Sequence, residues 1–467
     1  MSSNADLGLN LKALNRYVVT FAVVGVVGIL YVLLSYGWRY AAPFVALPLA
    51  AIVISSPRLA LYQFVFFCFI DLPLVPSIPL SLIDLSMLTV VAAGVVDVLL
   101  DNKLPQRLPR LSLNYLYIVG VLIICGLFGY WPELAPRRIV TTSLLLFTFL
   151  SVYRLSGKVG VGTLVRLYFW LAVAHSVYVV VPYLMHGGAY RSFGFAVSFY
   201  DDFAMIALPV GVGLYLGARG KKSTGYLLGV VAVFGGLIAT QVRAALVFGM
   251  VAAAFVMIVA YLRTRHVPNT EGFPRVVRRR IRWLIMMPAL AIVVAMIAEP
   301  GLFAAVLERF GELFTAKPSG TTVYRLALWK RALIAFFDHP IFGVGPGGFY
   351  HLNSLYETLH LTPDFPYLRG LGAHNPFLHF LADTGVVGGV GILALIGNHF
   401  RLARRNWIIR PMIDPVALAL YGWAFLFALS MMIEAGWMWG PASFPAVLMV
   451  ALAVRHHAAT GPTPQTD

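Results

Sequence analysis

His374 precedes Asn375 and Pro376 at the mouth of a long apolar run. Asparagine is a strong helix N-cap and proline suits the first helical position, so the triplet predicts a helix opening at Pro376. His374 then stands just outside that helix's N-terminus. The positive end of a helix disfavours imidazolium, which leaves a ring able to accept a proton near neutral pH. That is the chemistry of a general base. A lone histidine ahead of a helix is more often structural, and Asn375 itself reads as a cap rather than a catalyst.

Three arginines stand out beside it: Arg191, Arg243 and Arg325. Charge at the mouth of a membrane bundle is costly and needs a reason. Arg243 lies in Ala-Thr-Gln-Val-Arg-Ala-Ala, where an apolar hairpin turns back with almost no polar spacer. It must sit near the interface, facing protein, water or an anion; the plainer reading is an arginine snorkelling from a helix end. Arg191 lies in Tyr-Arg-Ser-Phe-Gly-Phe ahead of another apolar run, where a positioned loop charge is the plainer reading. Guanidinium pairs bidentately with phosphate oxygens and stays charged. In a water-poor site such groups would stabilise the charge growing on a departing diphosphate.

Supporting candidates are fewer. Arg137 and Arg138 end the short polar stretch Trp131-Pro-Glu-Leu-Ala-Pro-Arg-Arg. His339 precedes Pro340 in a turn, and Asp383 sits in the early turns after Pro376, where helix-end electrostatics is the favoured role. Gly343, Gly345 and Gly348 spell G-x-G-x-x-G, but no βαβ unit surrounds them, so a dinucleotide site is rejected and tight turning is the reading. No His, Cys, Asp or Glu cluster has metal-ligand spacing, and no cofactor is expected.

The elements that must hold these groups are membrane helices. The chain has 467 residues, 60% hydrophobic and 12% charged, with mean hydropathy +0.82; soluble domains carry about 25% charged residues. Cys68 and Cys125 fall inside apolar runs and read as buried free thiols. The net charge of +16 gathers in short loops between apolar runs, a topology signal rather than a nucleic-acid footprint. Seven arginines between Arg263 and Arg282 read as the strongest cytoplasmic loop. The first apolar run is too long for a cleavable signal and reads as a retained span, with both termini cytoplasmic.

Counting runs predicts an all-α polytopic bundle of 12–14 spans, the lower number if Ala41–Ser55 and Arg58–Leu72 form one re-entrant hairpin. The expected organisation is an N-terminal bundle over 1–298, a large outer loop over 299–375 and C-terminal spans with a tail over 376–467. Two amphipathic helices are expected in the loop. One carries Leu302, Phe303, Val306, Leu307, Phe310, Leu313 and Phe314; the other carries Val323, Leu326, Leu333 and Phe337 behind Thr321 or Thr322 as N-cap. Both are expected to lie along the membrane surface.

Arg325-(x)3-Trp329, His339-Pro340-(x)2-Gly343-x-Gly345, and His374-Asn375-Pro376-x-Leu378 followed by Asp383-x-Gly385-(x)2-Gly388 together resemble the signature region of the O-antigen ligase and polymerase superfamily. The resemblance covers roughly Arg191 to Gly388. It implies a membrane glycosyltransferase fold in the bacterial inner membrane, with a periplasmic active site. It further implies an undecaprenyl-diphosphate-linked glycan donor, a lipid A–core acceptor, inversion at the anomeric carbon and no metal. By the same resemblance His374 would be the catalytic base, and Arg191 and Arg243 would hold the donor diphosphate. A polymerase with a lipid-linked acceptor is the nearest alternative. A glycan transporter is a further one; it would show charged pairs at the midplane and broken helices in related halves, and the sequence displays neither.

Overall fold

The computed structural model describes residues 52–69, 73–75, 78–101, 109–185, 200–218, 220–240, 242–265, 273–298, 320–352, 372–408, 414–430 and 443–460. Arg191 and the stripe from Leu302 to Phe314 lie outside the described residues.

The chain is a polytopic helical membrane protein. In order, the helices are α1 (Pro57–Phe67), α2 (Leu82–Asp101), α3 (Arg110–Phe128), α4 (Ala135–Val159), α5 (Val161–Met185), α6 (Tyr200–Gly217) and α7 (Lys222–Thr240). There follow α8 (Arg243–Thr264), α9 (Phe273–Ala298), α10 (Gly320–Asp338), α11 (Pro376–Ile408), α12 (Pro415–Ser430) and α13 (Ser443–Thr460). Among the described residues, α2, α3, α4, α5, α7, α8 and α11 are long and apolar enough to cross a membrane, and α6, α12 and α13 contribute shorter apolar helices. Backbone amides in hydrocarbon must bond internally, which is why these runs fold as helices.

α1 is capped by the Ser56 hydroxyl, which accepts from the Leu59 amide, with Pro57 at the first helical position. Its 11 residues span roughly 16 Å, about half of a bilayer core. A short antiparallel hairpin, β1 (Pro73–Val75) with β2 (Ile78–Ser81), returns the chain to α2.

α6 is the hub. Every residue from 202 to 216 is buried, as expected of a helix apolar all round, and α5, α7, α8 and α12 pack against it. Gly213 lies against the backbone of Ala419 on α12 with no room for a Cβ, the close approach by which helices associate in lipid. A second group forms where α4 packs against α2, α3 and α13, and α11 against α3 and α12. Cys68 and Cys125 are buried free thiols.

At one end of this second group Asp97 of α2 is gripped by Arg154 and Lys158 of α4, each at 2.5 Å. Asp414, ahead of α12, accepts from the Val416 and Ala417 amides and pairs with His456 of α13 at 2.8 Å.

Two expectations need correction. α9 begins at Phe273, so Arg278, Arg279 and Arg280 occupy early helical turns rather than a loop. Arg280 is drawn onto the helix because its guanidinium donates to the Leu216 carbonyl at 2.8 Å and lies over the Tyr215 ring. α10 begins at Gly320, which places Thr321 and Thr322 inside the helix instead of at its cap. Beyond these, α11, expected as one run from Pro376, is broken: Gly385 has φ 61° and ψ −159° within it.

α10 packs on α11, with Ala332 and Ala335 clustered against Ala382 and Leu378; Leu328 and Arg331 are also buried on α10. Leu326, Leu333 and Phe337 face outward, Phe337 being 72% exposed, so the apolar stripe read from the sequence is turned away from the protein.

Candidate functional site

The site is assembled on the break in α11. An unbroken helix would bond the Val386 amide to the Ala382 carbonyl and the Val387 amide to the Asp383 carbonyl. The turn at Gly385 frees all four groups, and in hydrocarbon each would be costly unless satisfied. The loop that follows α10 satisfies every one. Val344 and Gly345 donate to Ala382 and Asp383, each at 2.9 Å. Val386 and Val387 donate to Pro340 and Ile341 at 2.8 and 3.4 Å. The Val344 carbonyl accepts in turn from the Tyr130 amide at 3.1 Å, tying in the corner between α3 and α4.

Glycine is required at this joint. Gly343 has φ 67°, and a Cβ there would collide with the Asp383–Thr384 peptide. A Cβ on Gly385 would overlap the Ile341 carbonyl. The glycine-rich loop is therefore a tight-turning backbone element, as read from the sequence, with Gly345 and Gly347 also at positive φ.

Asp383 lies at the centre of the joint and is fully buried (0% exposed). Its two carboxylate oxygens accept from the Gly347 and Phe349 amides, both at 2.9 Å. A buried carboxylate is stable only when its oxygens are bonded. The partners here lie across the break, so Asp383 pins the loop rather than merely complementing a helix end. One turn earlier, the His379 Nε2 stands 3.4 Å from Asp383 Oδ2. His379 Nδ1 accepts from the Ala373 amide at 3.2 Å.

The N-terminus of α11 is built as the sequence predicts. Asn375 Oδ1 accepts from the Leu378 amide at 3.0 Å, and the Asn375 carbonyl accepts from the His379 amide at 2.9 Å. Pro376 is the first helical residue. His374 precedes this cap, half-buried, with φ 46°, the one positive value at a non-glycine position among the described residues. The left-handed region costs an L-residue roughly 1–2 kcal/mol, and such strain collects where a side chain must be presented in a set direction.

The remaining candidates divide. Arg138, in the first turn of α4, places its guanidinium 5.0 Å from the Tyr350 ring centroid, and Tyr350 packs on His379 at 4.7 Å. Arg137 is exposed on the same turn. His339 follows α10, packs on Tyr130 at 4.7 Å and offers its carbonyl to the Gly343 amide at 3.0 Å, which is a turn role. Arg325 is half-buried on α10, and the buried arginine of that helix is Arg331. Arg243 is the first residue of α8, whose N-cap residue Val242 makes no side-chain cap bond; the positive end of a helix favours an anion. Among the described residues, no group of three or more His, Cys, Asp or Glu is placed to hold a metal ion.

Sequence reasoning missed His379, Tyr350 and Arg331. The available signal was spacing: Asn375, His379 and Asp383 recur every four residues on one face of α11. Tyr350 and Arg331 gave no comparable signal, because neither repeats with the others on one helix face.

Comparison with curated proteins finds no match. A family model described as O-antigen ligase matches residues 228–393. That stretch, about a third of the chain, holds most of α7, all of α8, α10, the glycine loop, His374 and the broken part of α11, and over it the chain is similar to the O-antigen ligase family.

Proposed function

We propose that the protein is an O-antigen ligase, transferring glycan from undecaprenyl diphosphate to a sugar hydroxyl of lipid A–core at the periplasmic face of the bacterial inner membrane. The observation that carries this reading is His374: a half-buried histidine in a left-handed turn, at the capped end of a broken helix, within the stretch that matches the family.

In this reading His374 removes the proton from the acceptor hydroxyl. The freed oxygen attacks the anomeric carbon from the face opposite the diphosphate. The carbon–oxygen bond to undecaprenyl diphosphate breaks, the electron pair leaves with the diphosphate, and the anomeric centre inverts. Arg243 at the opening of α8, together with Arg191, holds the leaving diphosphate, and Arg138 supports the acceptor side. The outer loop over 299–375 is periplasmic, both termini are cytoplasmic, and the outward stripe of Leu326, Leu333 and Phe337 rests α10 on the membrane surface.

The test is transfer with purified protein, given lipid-linked O-antigen in EDTA with either lipid A–core or a second lipid-linked glycan. Product on lipid A–core supports the ligase without an accessible metal. Lengthened lipid-linked glycan would make the protein a polymerase. No product with either acceptor, from folded protein that binds donor, would favour a glycan transporter instead.

A further inference from the structure

His379 is a polar side chain that touches both the residue before His374 and the glycine joint. It is 1% exposed and sits on the face of α11 between the cap and the break. Its ring is fixed from four sides. Phe349 meets it edge-on at 5.3 Å and Tyr350 packs at 4.7 Å. The Ala373 amide donates to Nδ1 at 3.2 Å, which makes Nδ1 the unprotonated nitrogen and puts the proton on Nε2. That nitrogen faces Asp383 Oδ2 at 3.4 Å, and Asp383 is itself anchored by Gly347 and Phe349. The sequence of contacts runs from the loop amides through Asp383 and His379 to the amide of Ala373, the residue before His374.

We propose that His379 is a positioning residue for this reaction: by bonding the Ala373 amide while facing Asp383, it holds the strained turn at His374 in the geometry from which that ring reaches the acceptor hydroxyl. The inference rests on the reading of His374 as general base. His379 does not touch the reacting atoms, and the dyad links the orientation of His374 to the docking of the glycine loop. A base displaced by about 1 Å loses on the order of 100-fold in rate, so a buried tie one residue away has a large lever.

The test uses three replacements in the full chain, assayed for glycan transfer from lipid-linked donor. In His379→Asn the side-chain oxygen falls near Nδ1 and still accepts from Ala373. In His379→Gln the amide falls near Nε2, meets Asp383 and leaves the Ala373 amide untied. His379→Phe keeps the ring volume and loses both the bond from Ala373 and the approach to Asp383. The expected result is a kcat within about threefold of wild type for asparagine and a fall of roughly 10- to 100-fold for glutamine and phenylalanine, with donor KM changed less than about twofold. Adding His379→Phe to His374→Ala should slow the reaction no further, since both act through one group.

Equal loss in the asparagine and glutamine variants would overturn the proposal, as would wild-type kcat in the phenylalanine variant or a change confined to KM. If the phenylalanine variant does not fold, the order of asparagine above glutamine decides. Full activity of His374→Ala would instead bring down the base assignment itself. An inactive His374→Ala beside a fully active His379→Gln would bring down this inference alone.

Discussion

Gly385 lies against the backbone of Ile341 with no space for a methyl group between them, at a φ of 61° and ψ of −159°. That conformation is essentially reserved for glycine.

Gly385→Ala should therefore cost roughly 2–4 kcal/mol, from backbone strain and overpacking together, and should abolish transfer by displacing the loop. Gly397, on the same helix with nothing within 4 Å of a Cβ, is the control: Gly397→Ala should be neutral or stabilising by up to about 1 kcal/mol. Thermal unfolding of the two purified variants in one detergent checks the contrast. Equal melting temperatures would refute the account of the joint.

His374 separates strain from chemistry. His374→Gly relieves the positive φ and should leave stability unchanged or raised by up to about 1 kcal/mol. Transfer should fall roughly 10²- to 10⁴-fold, the usual contribution of a positioned acid or base. A glycine variant that melts well below wild type would show that the ring is held for packing instead.

Asp97 is nearly buried, while its partners Arg154 and Lys158 are progressively more exposed. Arg154→Met should destabilise the α2–α4 contact by about 1–3 kcal/mol, because it strips a buried carboxylate of a charged hydrogen-bond donor. Lys158→Met should cost under about 1 kcal/mol, as solvent screens that pair. Chemical unfolding of the two variants gives the order; the reverse order would count against it.

Asp414 predicts a pH effect. Burial pushes its carboxyl up, but the His456 hydrogen bond and charge and the two capping amides outweigh burial and hold it below the usual range. A depressed folded value means stability that is present above the unfolded value, about 3.9, and lost as pH falls through the folded one. Asp414→Asn keeps an N-cap and removes the charge. The gap in melting temperature between wild type and this variant should hold steady between about pH 5 and 6 and close as pH falls below about 4. A gap that widened on acidification would contradict the sign.

Most of the helical architecture was legible because it is local. Each apolar run from Leu82 onward that is described folds as a helix, and the Asn375–Pro376 cap forms as its residue types require. What stayed hidden depends on partners distant in sequence. Nothing in Gly385's neighbours distinguishes it from other glycines of membrane helices; its turn exists because residues 340–345 supply the missing hydrogen bonds. Arg280 reads as loop charge until the Leu216 carbonyl is placed beside it. Likewise Phe337 and Leu333 announce an apolar stripe, but only the Ala332 and Ala335 contact shows that the stripe faces away from the bundle.

The seam between the glycine loop and the broken helix is made of main chain. Pro340, Ile341, Val344, Ala382, Val386 and Val387 contribute amides and carbonyls to it, so most of their side chains are not committed to holding it closed. Exchange of Ile341 or Val386, both outward-facing, would change the lining and leave the stitching intact. Such a seam lets descendants of one scaffold vary what they accept at its edge without re-inventing how the edge is held.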